Sequence, residues 1–288
     1  MLKKYSNNIQ GIFYLILACL MVSILIAIVR KLASEVNVSV IVMLRNAFSL
    51  LIMVPLIIKE RNLIFRPKRP MLNLVRSLNG FVSMSIWFYA VTLVPLSEAV
   101  AISFIVPSLT TLIAILFLKE KVESNKIISL IIGFVGMLII LRPGFKSFNQ
   151  AYLLIFLAAF CWAISNLLTK ILSEFQKPSH LVVYLSAVMF VVSIPFGVGN
   201  FHSITYQQIF WLFILGGVSN LSYFFTSLAY SKTSLSNLQP FDFMRLVFTV
   251  IIGMIFFNEK LDWLIVFGAM LITFGGVIAI PKKTKKYH

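Results

Sequence analysis

Charged residues are scarce in this chain of 288 residues, because Asp, Glu, Lys and Arg together make up only 12% of it. An ordinary soluble domain carries about 25% of these residues. The scarcity excludes a typical soluble globular domain. In place of charge the chain has 60% hydrophobic residues and a mean hydropathy of +0.97. This composition is typical of a protein that lies in a lipid bilayer.

Cysteine and histidine are also rare, with two Cys and three His. Cys19 and Cys161 fall inside apolar runs, and their spacing matches no zinc or redox motif. The sequence therefore predicts no metal site and no other cofactor. A membrane-embedded enzyme would need paired carboxylates, or a His with an acid, near one membrane surface. Neither pattern occurs in the sequence, which makes an enzyme the weaker alternative.

Long apolar runs follow one another with only short connections between them. A helix needs about 20 apolar residues to cross the hydrocarbon core of a bilayer. The pattern predicts an all-α polytopic membrane protein with ten transmembrane helices, at residues 11–30, 38–58, 72–93, 97–118, 126–141, 151–172, 181–198, 209–229, 235–257 and 263–280.

The sequence contains a repeat of about half its length. Residues 104–122 align with residues 243–261, so that Glu120 coincides with Glu259. Within one residue of the same offset, residues 11–30 align with residues 151–170. If each half holds an odd number of spans, the second half enters the bilayer from the opposite side, as in many secondary transporters. We therefore expect two inverted five-helix repeats, at 1–142 and 151–281, followed by a basic tail at 282–288.

Basic residues outnumber acidic ones by 25 to 9, which gives a formal net charge of +16. A nucleic-acid site gathers its cations on one accessible face, whereas these lie in successive loops, so nucleic acid is not an expected partner. Counted by alternate sides of the ten spans, seventeen cations lie on one side and five on the other. Because positively charged loops stay in the cytoplasm, the N- and C-termini are both expected there.

Two charged residues interrupt the ninth predicted span. Asp242 and Arg245 are three positions apart, so they share one face of a helix, and Gln239 extends that face by one turn. Pro240 lacks an N–H group and favours a kink. A charge near the bilayer centre costs about 3 kcal/mol on insertion scales, so the pair either contacts substrate or pins two helices together.

Two further arginines lie in the first half. Arg45 has no acid within its own span, so it either shares Asp242 with Arg245, which would favour a substrate with a carboxylate or phosphate, or extends to the outer surface. Arg76 lies near the cytoplasmic start of its span, where the long side chain is expected to reach the interface.

Several spans combine aromatic rings with hydrogen-bonding groups that could line a cavity. We expect substrate contacts from Trp87, Tyr89, Trp162, Asn166, Asn220 and Tyr223. The alternative for each residue is an interfacial aromatic ring or a hydrogen bond between helices.

Two stretches carry a resemblance to a known family. PLSEAVAISFIVPSLTTLIAILFLKEK and LSNLQPFDFMRLVFTVIIGMIFFNEK each combine a polar, proline-bearing helix with an apolar run that ends in Glu. With ten spans in two halves, they resemble the EamA-type carriers of the drug/metabolite transporter superfamily. Family members often carry Gly before that Glu, where this chain has Lys119 and Asn258. Residues 76–118 are also similar to the S-adenosylmethionine carriers of intracellular bacteria.

The resemblance implies a central cavity between the halves and alternating access. We expect a secondary transporter of a small polar metabolite in the bacterial inner membrane, which makes and breaks no covalent bond. Its partners are a small-molecule substrate and the lipid bilayer. Uptake of S-adenosylmethionine and efflux of drugs or metabolites are alternatives. The substrate, the direction, proton coupling against exchange and a homo-oligomeric state stay open.

Overall fold

The computed structural model describes residues 2–90, 93, 96–142, 150–201, 203–257 and 263–280, and its regular structure in these ranges is helical. The helices are α1 (Leu2–Ala33), α2 (Val38–Lys59), α3 (Arg61–Ile64), α4 (Pro70–Ala90), α5 (Leu96–Ser103), α6 (Val106–Leu118), α7 (Ser124–Leu141), α8 (Ala151–Ser173), α9 (Pro178–Val198), α10 (Tyr206–Lys232), α11 (Leu235–Asp242), α12 (Met244–Phe257) and α13 (Trp263–Ala279). The Glu259–Lys260 end of the repeat and the basic tail at 282–288 lie outside the described residues.

Seven segments of the described chain are long and apolar enough to cross a membrane. They are α1, α2, α7, α8, α9, α10 and the combined range Leu235–Phe257. Val106–Leu118 and Trp263–Ala279 are shorter apolar helices. The predicted third span forms α4, which carries Asn73, Arg76 and Asn79. The protein is therefore an all-helical membrane protein with several spans.

The fourth and ninth predicted spans are each interrupted. In the first half, α5 ends at Ser103 and α6 begins at Val106. Pro107 cannot donate a hydrogen bond to the Ser103 carbonyl one turn earlier, which accounts for the break. In the second half, α11 contains Pro240 and ends at Asp242, and α12 begins at Met244. Each break leaves backbone groups outside a regular helix beside the polar residues of that segment.

The C-terminal end of α6 has a left-handed backbone. Lys119 caps this helix with φ of 53°. This conformation favours glycine, which has no Cβ to clash with the following carbonyl, although a lysine occupies the position here.

Helices of the first half pack mainly against helices of the second. α1 contacts α10 and α12, and α8 contacts α4 and α6. α2 packs against α9, and α7 packs against α13. Gly136 and Gly268 bring the backbones of α7 and α13 together, since a Cβ added at Gly136 would lie 2.8 Å from the Gly268 carbonyl oxygen. The two halves thus form one interleaved bundle.

Two phenylalanines at the helix breaks meet inside this bundle. Phe104 follows α5 and Phe243 separates α11 from α12, and their rings stack with centroids 5.8 Å apart. Phe243 is fully buried and fits against Gly133 of α7. Because the repeat aligns Phe104 with Phe243, equivalent positions of the two halves contact each other where the helices are broken.

Candidate functional site

Asp242 and Arg245 form an ion pair at the break between α11 and α12. Arg245 Nη2 lies 3.0 Å from Asp242 Oδ2. Both side chains are mostly buried. Each group supplies the counter-charge of the other, which offsets part of the cost of burying charge in an apolar bundle.

Polar groups of α1 surround the backbone at this break. Ser23 Oγ donates to the Arg245 carbonyl oxygen at 2.9 Å, and Thr249 Oγ1 donates to the same oxygen at 2.8 Å. Cys19 Sγ lies 3.9 Å from Asp242 Oδ1. These residues were missed in the sequence, because single Ser and Cys residues in an apolar run give no signal without the partner helix.

Aromatic rings complete the environment of Arg245. The guanidinium carbon lies 5.3 Å from the centroid of the Phe104 ring and 5.5 Å from that of the Trp162 ring. Distances below about 6 Å are typical of cation–π contacts. Trp162 remains 43% exposed, so part of its ring can contact another molecule. The structure therefore brings together three of the predicted site residues, Asp242, Arg245 and Trp162.

The side chain of Gln239 lies deeper than this pair. Gln239 is buried on α11 and interacts with Tyr230 of α10. This interaction joins α11 to α10 one turn before Asp242.

Asn166 and Trp87 hydrogen-bond between helices near the first break. Asn166 Nδ2 donates to Thr110 Oγ1 at 3.2 Å, which joins α8 to α6. Trp87 Nε1 donates to Ser103 Oγ at 2.7 Å, which joins α4 to the end of α5. Ser103 aligns with Asp242 in the repeat, so Trp87 contacts the first-half equivalent of the charged break.

Asn220 lies in a different cluster. Its Nδ2 donates to the Ser49 carbonyl oxygen at 3.0 Å, and its Oδ1 accepts from Ser49 Oγ. Ser49 Oγ also lies 2.6 Å from Ser186 Oγ. Ser49, Asn220 and Ser186 therefore link α2, α10 and α9. We call them the three-helix polar cluster.

The remaining predicted residues are dispersed. Tyr89 lies near the end of α4 and is 62% exposed. Tyr223 is half-buried on α10.

Arg45 forms no ion pair with Asp242, which pairs with Arg245. Arg45 lies on α2 and is 7% exposed, and its Nε and Nη2 atoms are buried without a hydrogen-bond partner among the described residues. The extension of this side chain to the outer surface, which the sequence left open, does not occur.

The expectation that Arg76 reaches the interface is wrong. Arg76 is 4% exposed, and its Nη1 and Nη2 donate to Thr169 Oγ1 at 3.3 Å and to the Leu181 carbonyl oxygen at 2.9 Å. Neighbouring helices offer these acceptors, which a single sequence does not reveal. Arg76 thus joins α4 to α8 and α9.

Glu120 has a role beyond marking the end of a span. Its Oε1 accepts from the Leu235 backbone N–H at 3.0 Å, and its Oε2 accepts from that of Ser236 at 2.9 Å. These are the first N–H groups of α11, which have no partner within the helix. A carboxylate is also favoured at the positive end of a helix dipole. Glu120 of the first half therefore caps the broken helix that carries Asp242.

An ionic cluster joins the end of α2 to the start of α9. Glu60 Oε1 lies 2.8 Å from Lys177 Nζ, and Glu60 Oε2 lies 2.6 Å from His180 Nε2. Hydrogen bonds from Lys177 and then from His180 lower the pKa of the Glu60 carboxyl below its usual value.

A groove of about 550 Å³ lies between α12 and α13, away from these polar groups. Its lining is apolar apart from Thr273, and includes Val250, Met254, Val266 and Met270. Such a surface suits lipid chains rather than a polar solute. Among the described residues, no group of three or more His, Cys, Asp or Glu residues could hold a metal ion.

Comparison with known proteins gives consistent matches. A model of the EamA-like transporter family matches residues 9–142 and again residues 149–280. A solved crystal structure of another protein has a TM-score of 0.79 to this chain at 15% identity, covering 95% of this chain and 96% of its own. That likeness establishes the fold alone.

Curated relatives are named as transporters. An S-adenosylmethionine uptake transporter of Rickettsia prowazekii (strain Madrid E) is 26% identical over 271 residues, which cover 94% of this chain and 91% of the relative. A riboflavin transporter of Brucella anthropi is 32% identical over 215 residues, 73% of this chain and 76% of the relative. A pseudopaline exporter of Pseudomonas aeruginosa (strain UCBPP-PA14) is 28% identical over 265 residues, 91% and 93% of the two chains.

Proposed function

The chain belongs to the EamA-like transporter family of the drug/metabolite transporter superfamily, and we propose that it carries a small polar metabolite across the bacterial inner membrane by alternating access. It is a secondary transporter with both termini in the cytoplasm. The solute binds beside the break between α11 and α12, where Asp242, Arg245 and Trp162 meet.

The packing of the helices supports two inverted halves of five spans each. The repeat relates α1 to α8, α4 to α10, and the interrupted α5–α6 to α11–α12. Exchanging the halves turns the α1–α10 contact into α8–α4 and the α1–α12 contact into α8–α6, and all four contacts occur. The α2–α9 and α7–α13 contacts map onto themselves. This symmetry provides equivalent inward-facing and outward-facing arrangements of one fold.

The single observation that carries the proposal is the charged pair at a broken helix. Transporter sites commonly use discontinuous helices whose free backbone groups and charges face the solute. The pair is not sealed into the core, because Asp242 and Arg245 retain 22% and 14% side-chain exposure. An ion pair that served only to hold two helices together would gain no stability from that exposure.

S-adenosylmethionine uptake is the more specific candidate. The partly exposed ring of Trp162 can stack on an adenine. The name of the Rickettsia relative agrees with this chemistry. The riboflavin transporter and the pseudopaline exporter leave another aromatic solute, or efflux, as alternatives.

Counterflow in liposomes containing the purified protein tests the proposal. We expect labelled S-adenosylmethionine or riboflavin to enter faster when the liposomes hold the same unlabelled solute. Trp162→Ala should lower that rate at least tenfold. Phe156→Ala, which removes an exposed aromatic ring from the same helix, should leave it unchanged. No stimulated entry of either solute, or equal loss in the two variants, would contradict the proposed site.

A further inference from the structure

Three arginines lie within the predicted spans, and they differ in how their charge is satisfied. Arg245 pairs with Asp242, and Arg76 donates to Thr169 and to the Leu181 carbonyl. Arg45 has no ion pair and no hydrogen bond among the described residues, although it is 93% buried. A buried guanidinium without a counter-charge is costly, and the described residues do not supply that charge.

The free atoms of Arg45 form one edge of its guanidinium group. Nε and Nη2 point to the same side, and both are buried without a partner. Their two N–H groups match the spacing of two oxygens on a carboxylate or a phosphate. A single unpaired nitrogen would have several explanations, whereas a complete unpaired edge specifies a bidentate anion.

The position of Arg45 on α2 is well defined by its neighbours. Ser49, four residues later on the same helix face, bonds to Ser186 of α9 and Asn220 of α10. α10 approaches closely there, because a Cβ added at Gly216 would lie 2.9 Å from the Ser49 nitrogen. Arg45 thus lies one turn before the three-helix polar cluster, in the interior where α2, α9 and α10 meet. The cluster fixes these helices around it.

We propose that Arg45 binds the anionic group of the transported solute through its Nε–Nη2 edge. This inference rests on the proposed carrier function and adds a second subsite, separate from the Asp242–Arg245 pair. The solute class is then a metabolite that carries a carboxylate or a phosphate. The anion supplies the counter-charge that the empty bundle does not provide.

Two matched pairs of probes isolate the anionic group. S-adenosylmethionine and its decarboxylated form differ by a carboxylate, and flavin mononucleotide and riboflavin differ by a phosphate. Dissociation constants are measured for the full chain in lipid nanodiscs. In at least one pair, we expect the wild type to bind the member with the carboxylate or phosphate about 10- to 100-fold more tightly. We call this compound the anionic member of the pair. The pair that gives the preference identifies the group as carboxylate or phosphate.

Variants connect that preference to Arg45. Arg45→Gln should bring the two members of the pair to nearly equal affinity. Arg45→Lys keeps the charge without the bidentate edge and should lose about tenfold in affinity for the anionic member. Arg61→Gln removes an exposed cation of α3 and should preserve the preference.

The melting temperature of the empty protein separates binding from a structural role. Arg45→Met breaks no hydrogen bond and removes a buried charge, so it should melt no lower than the wild type. Arg76→Met loses two hydrogen bonds and should melt lower. A large destabilisation by Arg45→Met would overturn the assignment.

The assignment would also be wrong if the wild type lacked a preference in both pairs, or if Arg45→Gln kept it. Flux is measured in parallel. A wild type that transports the members without the carboxylate or phosphate, with Arg45→Gln equally active, would leave the carrier function intact and reject the anion site alone. Absence of flux for all four probes would reject the carrier proposal.

Discussion

At the scale of single residues, buried polar groups divide into those that are satisfied within the protein and those that are not. Asp242 and Arg245 neutralise each other, and Asn220 makes two hydrogen bonds with Ser49 within the three-helix polar cluster. Arg45 is the contrasting case, with two free nitrogens. Satisfied groups stabilise the bundle, whereas the buried edge of Arg45 has no counter-charge among the described residues.

The ion pair between Asp242 and Arg245 predicts that the effects of substituting these two residues on stability are not additive. Asp242→Asn and Arg245→Gln each leave one partly buried charge without its partner, so each should lower stability by about 1–3 kcal/mol. The double variant removes both charges and should be more stable than the sum of the single effects predicts. A double-mutant cycle of melting temperatures checks this expectation. Additive effects would mean that the pair does not interact.

Solute flux in the same variants addresses coupling. If Asp242 carries a proton, Asp242→Asn should retain some flux that no longer responds to a pH gradient. We expect the response to be unchanged, because Asp242 is held in the ion pair with Arg245. Loss of the pH response in this variant would contradict the expectation.

Glu60 predicts a stability that depends on pH. Its pKa is lowered in the folded state, so its contribution is present above the unfolded value of about 4.3 and is lost as the pH falls through the folded value. Glu60→Gln should therefore melt below the wild type at pH 7, and the difference should shrink below about pH 4.3. Melting curves across this range test the effect. A difference that is constant with pH would assign it to packing instead.

At the scale of helices, the two broken spans and their supports define the site. The kink expected from Pro240 occurs as a break at Phe243, three residues later. The first break was not predicted, although Pro107 accounts for it. The support from Glu120 was equally hidden, because its acceptor role depends on a helix start 115 residues away in the chain.

The cap by Glu120 is testable against a neighbouring charged residue. Glu120→Ala leaves the first N–H groups of α11 without their acceptor and should cost about 1–2 kcal/mol. Lys121→Ala, the control for an adjacent charge, removes an exposed cation and should change stability by less than about 0.5 kcal/mol. Thermal unfolding of both variants provides the comparison. Similar losses would show that the cap contributes nothing specific.

The close crossing of α7 and α13 predicts that position 136 requires glycine. A Cβ at Gly136 would lie 2.8 Å from the Gly268 carbonyl oxygen, so Gly136→Ala must separate the two backbones. We expect a loss of about 1–3 kcal/mol. Gly217→Ala is the matched control within a helix, because the added Cβ would lie 3.5 Å from Ile52 Cδ1, an ordinary contact. Equal tolerance in thermal unfolding would exclude a close crossing at Gly136.

At the scale of the whole molecule, the sequence predicted the class of fold better than the composition of the site. Long apolar runs predicted the helical membrane protein that the structure shows. Asp242, Arg245 and Trp162 were identified because charge and aromatic rings stand out in apolar runs. Asn220 and Arg76 were harder to interpret, because their roles depend on Ser49, Ser186, Thr169 and Leu181 in distant helices.

The central claim is that the two halves enter the membrane from opposite sides. Its most direct test is labelling of Lys121→Cys and Lys260→Cys with a membrane-impermeant maleimide, in a background with Cys19 and Cys161 replaced by alanine. Intact cells and inverted vesicles expose opposite surfaces. We predict that position 121 reacts only from the cytoplasmic side and position 260 only from the outside. Labelling of both positions from one surface would contradict the inverted repeat and the alternating-access carrier built on it.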